Sequence, residues 1–281
     1  MLEKEQIREK ARALHIDVIG FAARERFEAL PPERSPLSIF PDGTSVILLG
    51  RRIPRGTLRG AAEGTTFAPY GYFGSRMLDD QFVAASCYDL VRFIEDAGYE
   101  ACPVFPNPAA INNMGVSVEP GLPAPNVTPD FDYAAVACGL GEIALSGTVL
   151  TPDLGPRVRF QMIITDLPLE SDPLYDGTPL CDRCGACAAA CPLHALDLSK
   201  PETREICGKP FSVGAYDNTL CKSCPNGGGP NRLHPKGEPD RMAASCTRAC
   251  VACLAERGIG AMKASFDPKK VWAKDRAGHV L

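Results

Sequence analysis

The chain has thirteen cysteines, and ten of them lie after residue 180, a distribution that limits the possible folds of its C-terminal third. The N-terminus is charged from its third residue and has no apolar segment typical of a signal peptide, so we expect a cytoplasmic protein. Cytosolic thiols are kept reduced, which makes disulfides an unsuitable explanation for so many cysteines. Metal binding is therefore the first interpretation.

Four cysteines followed by a proline form a run with the spacing C-x2-C-x2-C-x3-C-P, namely Cys181, Cys184, Cys187, Cys191 and Pro192. This is the spacing of bacterial ferredoxins, in which a tight loop places three thiolates at three corners of a four-iron cubane. The fourth cysteine of such a run ligates a second cluster, so one run predicts a second set of cysteines. The alternative is zinc, which needs only two pairs of cysteines and does not favour the three-cysteine spacing.

The later cysteines supply this second set. We assign the first three cysteines of the run to one [4Fe–4S] cluster and the fourth to the other. The remaining four ligands are predicted to be Cys221, Cys224, Cys246 and Cys250, with Cys207 and Cys253 as reserves. The sequence leaves open how these six later cysteines divide between the two clusters.

The pattern of apolar residues predicts an α+β fold, with an α/β sandwich domain over residues 1–175 and a small two-cluster, ferredoxin-like domain over residues 176–281. In the first domain we predict an amphipathic helix near the N-terminus and a long helix over residues 76–97. Three strands are expected, at 16–22, 46–49 and 158–164. After residue 176, Cys, Gly, Pro and Asn are frequent, and short helices are expected because a metal replaces part of the apolar core.

Several other segments are candidate binding elements, each with a simpler alternative. Arg51 and Arg52 begin an arginine- and glycine-rich stretch that could hold a phosphate or carboxylates, although such runs are usually solvated. Tyr70 and Tyr72 could line a pocket, or at least one could be part of the core. Residues 103–129 contain seven prolines and are expected to form either a functional loop or a surface loop.

The segment from Gly139 to Ala144 reads G-L-G-E-I-A and formally matches the dinucleotide fingerprint G-x-G-x-x-A. That fingerprint requires a preceding strand and a following helix. The six residues before Gly139 could be either a strand or a helix, so the match by itself is weak.

Residues 132–192 resemble the epoxyqueuosine reductase-like family, whose architecture is shared by reductive dehalogenases. The resemblance lies in an alanine-rich segment leading into Gly139-Leu140-Gly141, a turn ending at Gly155-Pro156, a strand closing at Ile164–Leu169, and then the cysteine run. It implies a nitroreductase-like domain that binds base-off cobalamin, supplied with electrons by two [4Fe–4S] clusters. It also implies that Gly139, Leu140 and Gly141 pack near the corrin.

The chain departs from the tRNA-modifying members of this family in three ways. Their acidic proton donor corresponds to Pro125 here, and Asp130, Asp132 and Tyr133 are the nearby substitutes. Their G-L-G loop continues differently, since this chain has Glu142 after Gly141. The sequence given lacks their helical-repeat tail and has a formal net charge of −4 with a pI near 5.7, which makes a nucleic-acid substrate unexpected.

These observations favour a cobalamin-dependent iron–sulfur reductase of a small organic molecule, in an anaerobe, with an external low-potential donor such as a ferredoxin or flavodoxin and no membrane partner. Two alternatives remain open. One is an electron-transfer protein that serves a partner's corrinoid or flavin, and the other is a flavin or nicotinamide oxidoreductase.

Overall fold

The computed structural model describes residues 2–106, 115–231, 239–260 and 272–281. It contains mixed helices and strands, as the sequence predicted. The α-helices are α1 (Lys4–Ala13), α2 (Arg59–Ala62), α3 (Ala84–Glu95), α4 (Phe131–Ala137), α5 (Ala186–Ala189), α6 (Asn218–Lys222) and α7 (Ser245–Glu256). The strands are β1 (Val18–Ala23), β2 (Ser45–Arg52), β3 (Ala101–Val104), β4 (Glu142–Ile143), β5 (Val149–Leu150), β6 (Val158–Thr165), β7 (Leu196–Ile206) and β8 (Lys209–Tyr216).

The chain divides into two compact units, each built from segments that are separate in the sequence. Unit 1 consists of Met1–Arg51, Asp79–Leu140 and Arg159–Tyr175. Unit 2 consists of Arg52–Leu78, Gly141–Val158 and Asp176–Leu281. Unit 2 therefore takes in two earlier segments besides the cysteine-rich region that begins at residue 176.

Unit 1 is organised around a four-stranded sheet with the strand order β1-β2-β6-β3. β1 pairs antiparallel with β2, and β3 pairs antiparallel with β6. The first six residues of β2 are all buried, which explains why its sequence is a continuous apolar run instead of an alternating one. The strands predicted near the start of the chain, at 46–49 and at 158–164 correspond to β1, β2 and β6.

The two longer helices of unit 1 follow the predicted apolar periodicity. Ile7 and Ala11 of α1 are buried, and Leu90 and Ile94 of α3 are fully buried. The helix expected over 76–97 is α-helical from Ala84 to Glu95. Two π-helical segments, Tyr70–Arg76 and Leu78–Val83, precede it, and the apolar pattern did not predict this wider winding.

Unit 2 contains a hairpin of β7 and β8 joined by the two-residue turn Cys207-Gly208. Both turn residues have positive φ, 50° and 76°, which suits a tight hairpin turn. The hairpin was not predicted, because the middle of β7 is exposed and charged and has no apolar face. The expectation of only short helices was wrong as well: α5 and α6 have four and five residues, but α7 has twelve.

Two further features bear on the sequence predictions. Within the described part of the chain, no helix has the length and apolar character needed to cross a bilayer. The proline-rich segment 103–129 begins at the end of β3, and its residues 107–114 lie outside the described residues. The described residues from 115 to 129 contain no helix or strand, in agreement with a loop.

Candidate metal centre

The predicted cysteine run lies in unit 2, on a loop that leads into α5. Cys181 and Cys184 are on the loop, Cys187 is on α5, and Cys191 comes after Ala190, the C-cap of that helix. Arg183 and Gly185, on either side of Cys184, have φ values of 61° and 75°. Two left-handed residues in so short a span turn the chain sharply, which is what three thiolates around one cluster require.

The second set of cysteines is presented by two helices. Cys221 is on α6, and Cys224 follows the end of that helix. Cys246 and Cys250 lie four residues apart on α7, so their side chains share one face of that helix.

Electrostatic coupling between the thiols divides the eight predicted ligands into two groups of four. The first thiol group is Cys181, Cys184, Cys187 and Cys250. The second thiol group is Cys191, Cys221, Cys224 and Cys246. Cys187 is also coupled to Cys246, so the two groups adjoin. Cys191, the fourth cysteine of the run, thus lies in the second group, and Cys250 completes the first. In the ferredoxin pattern, too, the fourth cysteine of the run serves the other cluster.

A cavity that is partly open to solvent lies at the first thiol group. Its lining includes all four thiols of that group together with Cys253. Among the described residues, no three donor side chains converge closely enough to hold a single metal ion. A cubane binds its thiolates at four outward corners, so thiols gathered around a cavity fit a cluster better than they fit one zinc ion. That these cysteines bind iron stays a prediction.

Burial controls the ionisation of the thiols. It raises the pKa of Cys187 and of Cys221 to about 11, and neighbouring thiols add to the effect in both cases. It also raises the pKa of Cys246 and Cys250. Thiols of this kind are neutral near pH 7 until a metal binds and displaces their protons.

Two backbone N–H groups donate to thiol sulfurs, and one carboxylate holds the backbone of Cys181. Glu142 Oε1 accepts a hydrogen bond of 2.8 Å from Cys181 N–H, and Leu145 N–H donates to Cys181 Sγ at 3.5 Å. Ala195 N–H donates to Cys191 Sγ at 3.3 Å. Glu142 was noted in the sequence only as a departure from the family pattern, and its contact explains what that residue does in this chain.

Two buried arginines accompany the second thiol group, and sequence reasoning missed both of them. Arg241 is 8% exposed and donates to the Ser146 carbonyl oxygen, and Arg248 is 5% exposed and donates to the Ala243 carbonyl oxygen. Arg241 lowers the pKa of Cys246, against the larger effect of burial. Their closeness in sequence to Cys246 is the one signal that could have indicated them.

The three candidate proton donors lie together at the start of α4 in unit 1. Asp130 caps the helix by accepting from Tyr133 N–H at 2.9 Å, and it forms an ion pair of 2.5 Å with Arg34. The Tyr133 hydroxyl is buried and donates to the Arg26 carbonyl oxygen at 2.8 Å. Asp132 is in the first turn of the helix. Asp130 and Tyr133 thus have structural contacts, and proton donation by any of the three stays a prediction.

The predicted glycine loop runs from the end of α4, through Gly139 and Leu140 of unit 1, to Gly141 of unit 2. A Cβ at Gly139, which has a φ of 74°, would collide with the Pro173 carbonyl oxygen. A Cβ at Gly141 would collide with the Leu150 carbonyl oxygen. The chain's own backbone therefore accounts for both glycines.

The same loop also rules out the dinucleotide interpretation. Helix α4 precedes it and strand β4 follows it, whereas the fingerprint requires a strand before the loop and a helix after it.

The remaining candidates are divided between the units. Arg51, in unit 1, donates to the Phe82 carbonyl oxygen at 3.2 Å and so contacts the π-helical segment Leu78–Val83. Arg52 in unit 2 is exposed. Tyr70 is buried and its hydroxyl donates to the Asp240 carboxylate, at 2.7 Å to Oδ2, while Tyr72 is 54% exposed. One of the two tyrosines is thus core, as the simpler alternative anticipated; ligand binding by these residues stays a prediction.

Comparison with known proteins identifies two kinds of relative. The tetrachloroethene reductive dehalogenase of Sulfurospirillum multivorans is 30% identical over 171 residues, which is 59% of this chain and 29% of the relative. An epoxyqueuosine reductase of Synechococcus sp. (strain CC9605) is 38% identical over 72 residues, 25% of this chain and 22% of the relative. No protein-family profile matches the chain.

Reductive dehalogenases are also found among the similar solved structures. A catabolic reductive dehalogenase matches with a TM-score of 0.57 at 18% identity, over 88% of this chain and 31% of that protein. A reductive dehalogenase described as B12-dependent matches with a TM-score of 0.56 at 18% identity, over 88% and 30% of the two chains. The predicted resemblance to both kinds of reductase is confirmed. This chain nevertheless spans less than a third of the length of the curated relatives that it matches.

Proposed function

We propose that this chain is an iron–sulfur oxidoreductase that carries two [4Fe–4S] clusters in unit 2 and delivers electrons to a base-off corrinoid that reduces a small organic substrate. The observation that carries the proposal is the arrangement of eight cysteines in two adjoining groups of four. Clusters of this type supply single electrons at low potential. An external low-potential donor protein, a ferredoxin or flavodoxin, is part of the proposal.

The relatives support the reductase part, because one curated match is named a reductive dehalogenase and the other a reductase. The corrinoid part depends on them more heavily. A solved neighbour is described as B12-dependent, while the glycines expected near a corrin are explained here by the chain's own backbone. We therefore assign no residue of this chain to the corrinoid from its geometry.

The contributions of the protein's own residues to the clusters are more specific. Glu142 and the Leu145 N–H hold Cys181 in place, and the Ala195 N–H holds the sulfur of Cys191. Hydrogen bonds to ligating sulfurs raise the reduction potential of an iron–sulfur cluster. The loop turns at Arg183 and Gly185 direct the first three thiols of the run around a common centre.

The cluster assignment can be tested by anaerobic reconstitution with iron and sulfide, followed by iron and acid-labile sulfide analysis and EPR of the reduced protein. We expect the wild-type chain to give two four-iron clusters and Cys191→Ala to lose the second. Cys102→Ala is the matched control, since Cys102 is a half-exposed cysteine of β3 in unit 1, and it should retain full iron. Reconstitution of one cluster or none in the wild type would overturn the proposal.

The corrinoid assignment needs a separate measurement on the same reconstituted protein. EPR of added cob(II)alamin should change from base-on to base-off, with loss of the nitrogen splitting from its lower ligand. A spectrum that stays base-on at saturating protein with intact clusters would overturn this part. In that case, co-purified flavin would favour the flavin alternative. A protein that holds clusters and no other cofactor would favour the electron-transfer alternative.

A further inference from the structure

Helix α7 carries a third cysteine that the two-cluster assignment does not use. Cys246, Cys250 and Cys253 are related by spacings of four and three residues, so their side chains form one stripe along the helix. The first belongs to the second thiol group, and the next belongs to the first thiol group. Cys253 lies one turn further along the same stripe.

This third cysteine reaches the cavity of the first thiol group. The cavity is lined by five thiols, whereas a four-iron cluster takes four. The excess thiol is Cys253, which lines the cavity with Cys184 and Cys250 and interacts electrostatically with both. Two sulfurs therefore lie side by side at one edge of the cavity.

Cys184 is also the most exposed of the four thiols in its group. It is exposed, and it lies on the loop between two residues with positive φ. Cys187 and Cys250 are held by helices α5 and α7. Cys253 is held by α7 in the same way, one turn before the end of that helix. The corner of the cluster that Cys184 would serve thus has a helix-borne thiol beside it.

We propose that Cys184 and Cys253 are alternative ligands of the same iron in the first cluster. The proposal rests on the proposed function, since it presumes that the first thiol group holds a four-iron cluster. In the exchange, Cys253 loses its thiol proton as its sulfur bonds to the iron, and Cys184 takes up a proton as it leaves. The cluster keeps its charge and its oxidation state. The neighbouring sulfur keeps the exposed iron ligated when Cys184 dissociates.

Single and double alanine variants of the reconstituted full chain test the exchange. We expect Cys184→Ala and Cys253→Ala each to keep the iron content and EPR signals of the wild type. The double variant should lose the corner iron, giving a three-iron signal or an empty first site. Cys187→Ala is the matched control, because no spare thiol is expected to replace it, and it should damage the first cluster as a single variant.

Two results would overturn the proposal. In one, Cys184→Ala alone is as defective as the double variant, which makes Cys184 the sole ligand. In the other, Cys253→Ala alone is as defective and Cys184→Ala is unchanged, which makes Cys253 the sole ligand. A wild-type chain that assembles no four-iron cluster would be a failure of the proposed function itself, and the two failures are therefore distinguishable.

The unsubstituted protein offers an independent test. Brief anaerobic alkylation of the holoprotein, followed by peptide mass spectrometry, reports which thiol is free of iron. Exchange predicts molecules alkylated at Cys184 and other molecules alkylated at Cys253, with few alkylated at both while iron is retained. Alkylation confined to one of the two cysteines would overturn the proposal.

Discussion

A single carboxylate, that of Asp172, connects three segments of unit 1. Its two oxygens form ion pairs with Lys4 at 2.5 Å and with Arg8 at 2.6 Å, both on α1. One oxygen also accepts from Phe21 N–H of β1 at 3.1 Å. Next to it, the Arg26 guanidinium donates to the Asp172 carbonyl oxygen at 2.8 Å. Asp172 therefore fixes α1 onto β1.

We expect Asp172→Asn to weaken this attachment substantially. Asparagine has nearly the same shape as aspartate but carries no charge. Its NH2 group replaces one carboxylate oxygen, so a donor then faces the donors of Lys4, Arg8 or Phe21. The carboxylate is 15% exposed and its partners are 28% and 29% exposed, so the pairs are only partly screened by solvent. Hydrogen bonds to charged groups contribute about 1.5–3 kcal/mol, and the loss of the pair is expected to cost about 2–3 kcal/mol after allowance for the partners' exposure.

Native-state hydrogen exchange of the hydrogen-bonded amides of α1 measures this cost locally, without requiring two-state unfolding of the whole chain. A loss of this size corresponds to roughly 30- to 150-fold faster exchange. The matched control is Glu5→Gln, which removes the Glu5–Arg12 ion pair on the same helix. That pair is 63% and 62% exposed, and the control should change exchange by less than about threefold. Equal effects of the two variants would refute the reasoning.

Glu142→Ala removes the acceptor for Cys181 N–H, and chelator challenge should then release iron from the first cluster roughly 5- to 20-fold faster. Glu142→Gln retains an acceptor and should stay close to wild type; similar losses in both would argue against a positioning role. Arg248→Gln removes a buried cation, so an EPR-monitored redox titration should show a lower potential for the second cluster only, and equal shifts in both clusters would contradict this. Burial raises the pKa of Cys187 and Cys221 to about 11, against a usual value of 9.0. In the folded metal-free protein, their alkylation at pH 8 should be roughly 100-fold slower than for an ordinary thiol and should rise about tenfold per pH unit until about pH 11. Mass spectrometry that finds the rate of the unfolded chain would refute this.

The sequence predicted best those elements whose side chains are sorted by burial. The buried face of α1 and the continuous apolar run of β2 follow directly from how each element meets the core. The β7–β8 hairpin could not be predicted in this way, because it is a two-stranded ribbon with an exposed middle. The π-helical segment Tyr70–Arg76 was missed because its wider turn does not follow the α-helical period.

Spacing singled out the four cysteines of the run as candidate ligands because the geometry of a cluster imposes that spacing on a short loop. The division of the later cysteines could not be predicted, since it depends on how α6 and α7 fold beside the loop. Cys253 illustrates the difficulty: spacing left it in reserve, and only the turn of α7 brings it beside Cys184. The partners of Glu142 were equally hidden, because the hydrogen bond to Cys181 spans 39 residues of sequence.

The surroundings of the two thiol groups also differ in charge, which bears on the direction of electron flow. Near the first group, Arg257 is half-exposed and lies 3.6 Å from the Asp182 carboxylate. Near the second group, Arg241 and Arg248 are buried, and neither forms an ion pair with a carboxylate among the described residues. A cluster with four thiolates becomes more negative on reduction, and a buried cation stabilises that state more than a screened one does. The second cluster should therefore have the higher potential, and an electron accepted at the exposed first cluster should pass to it.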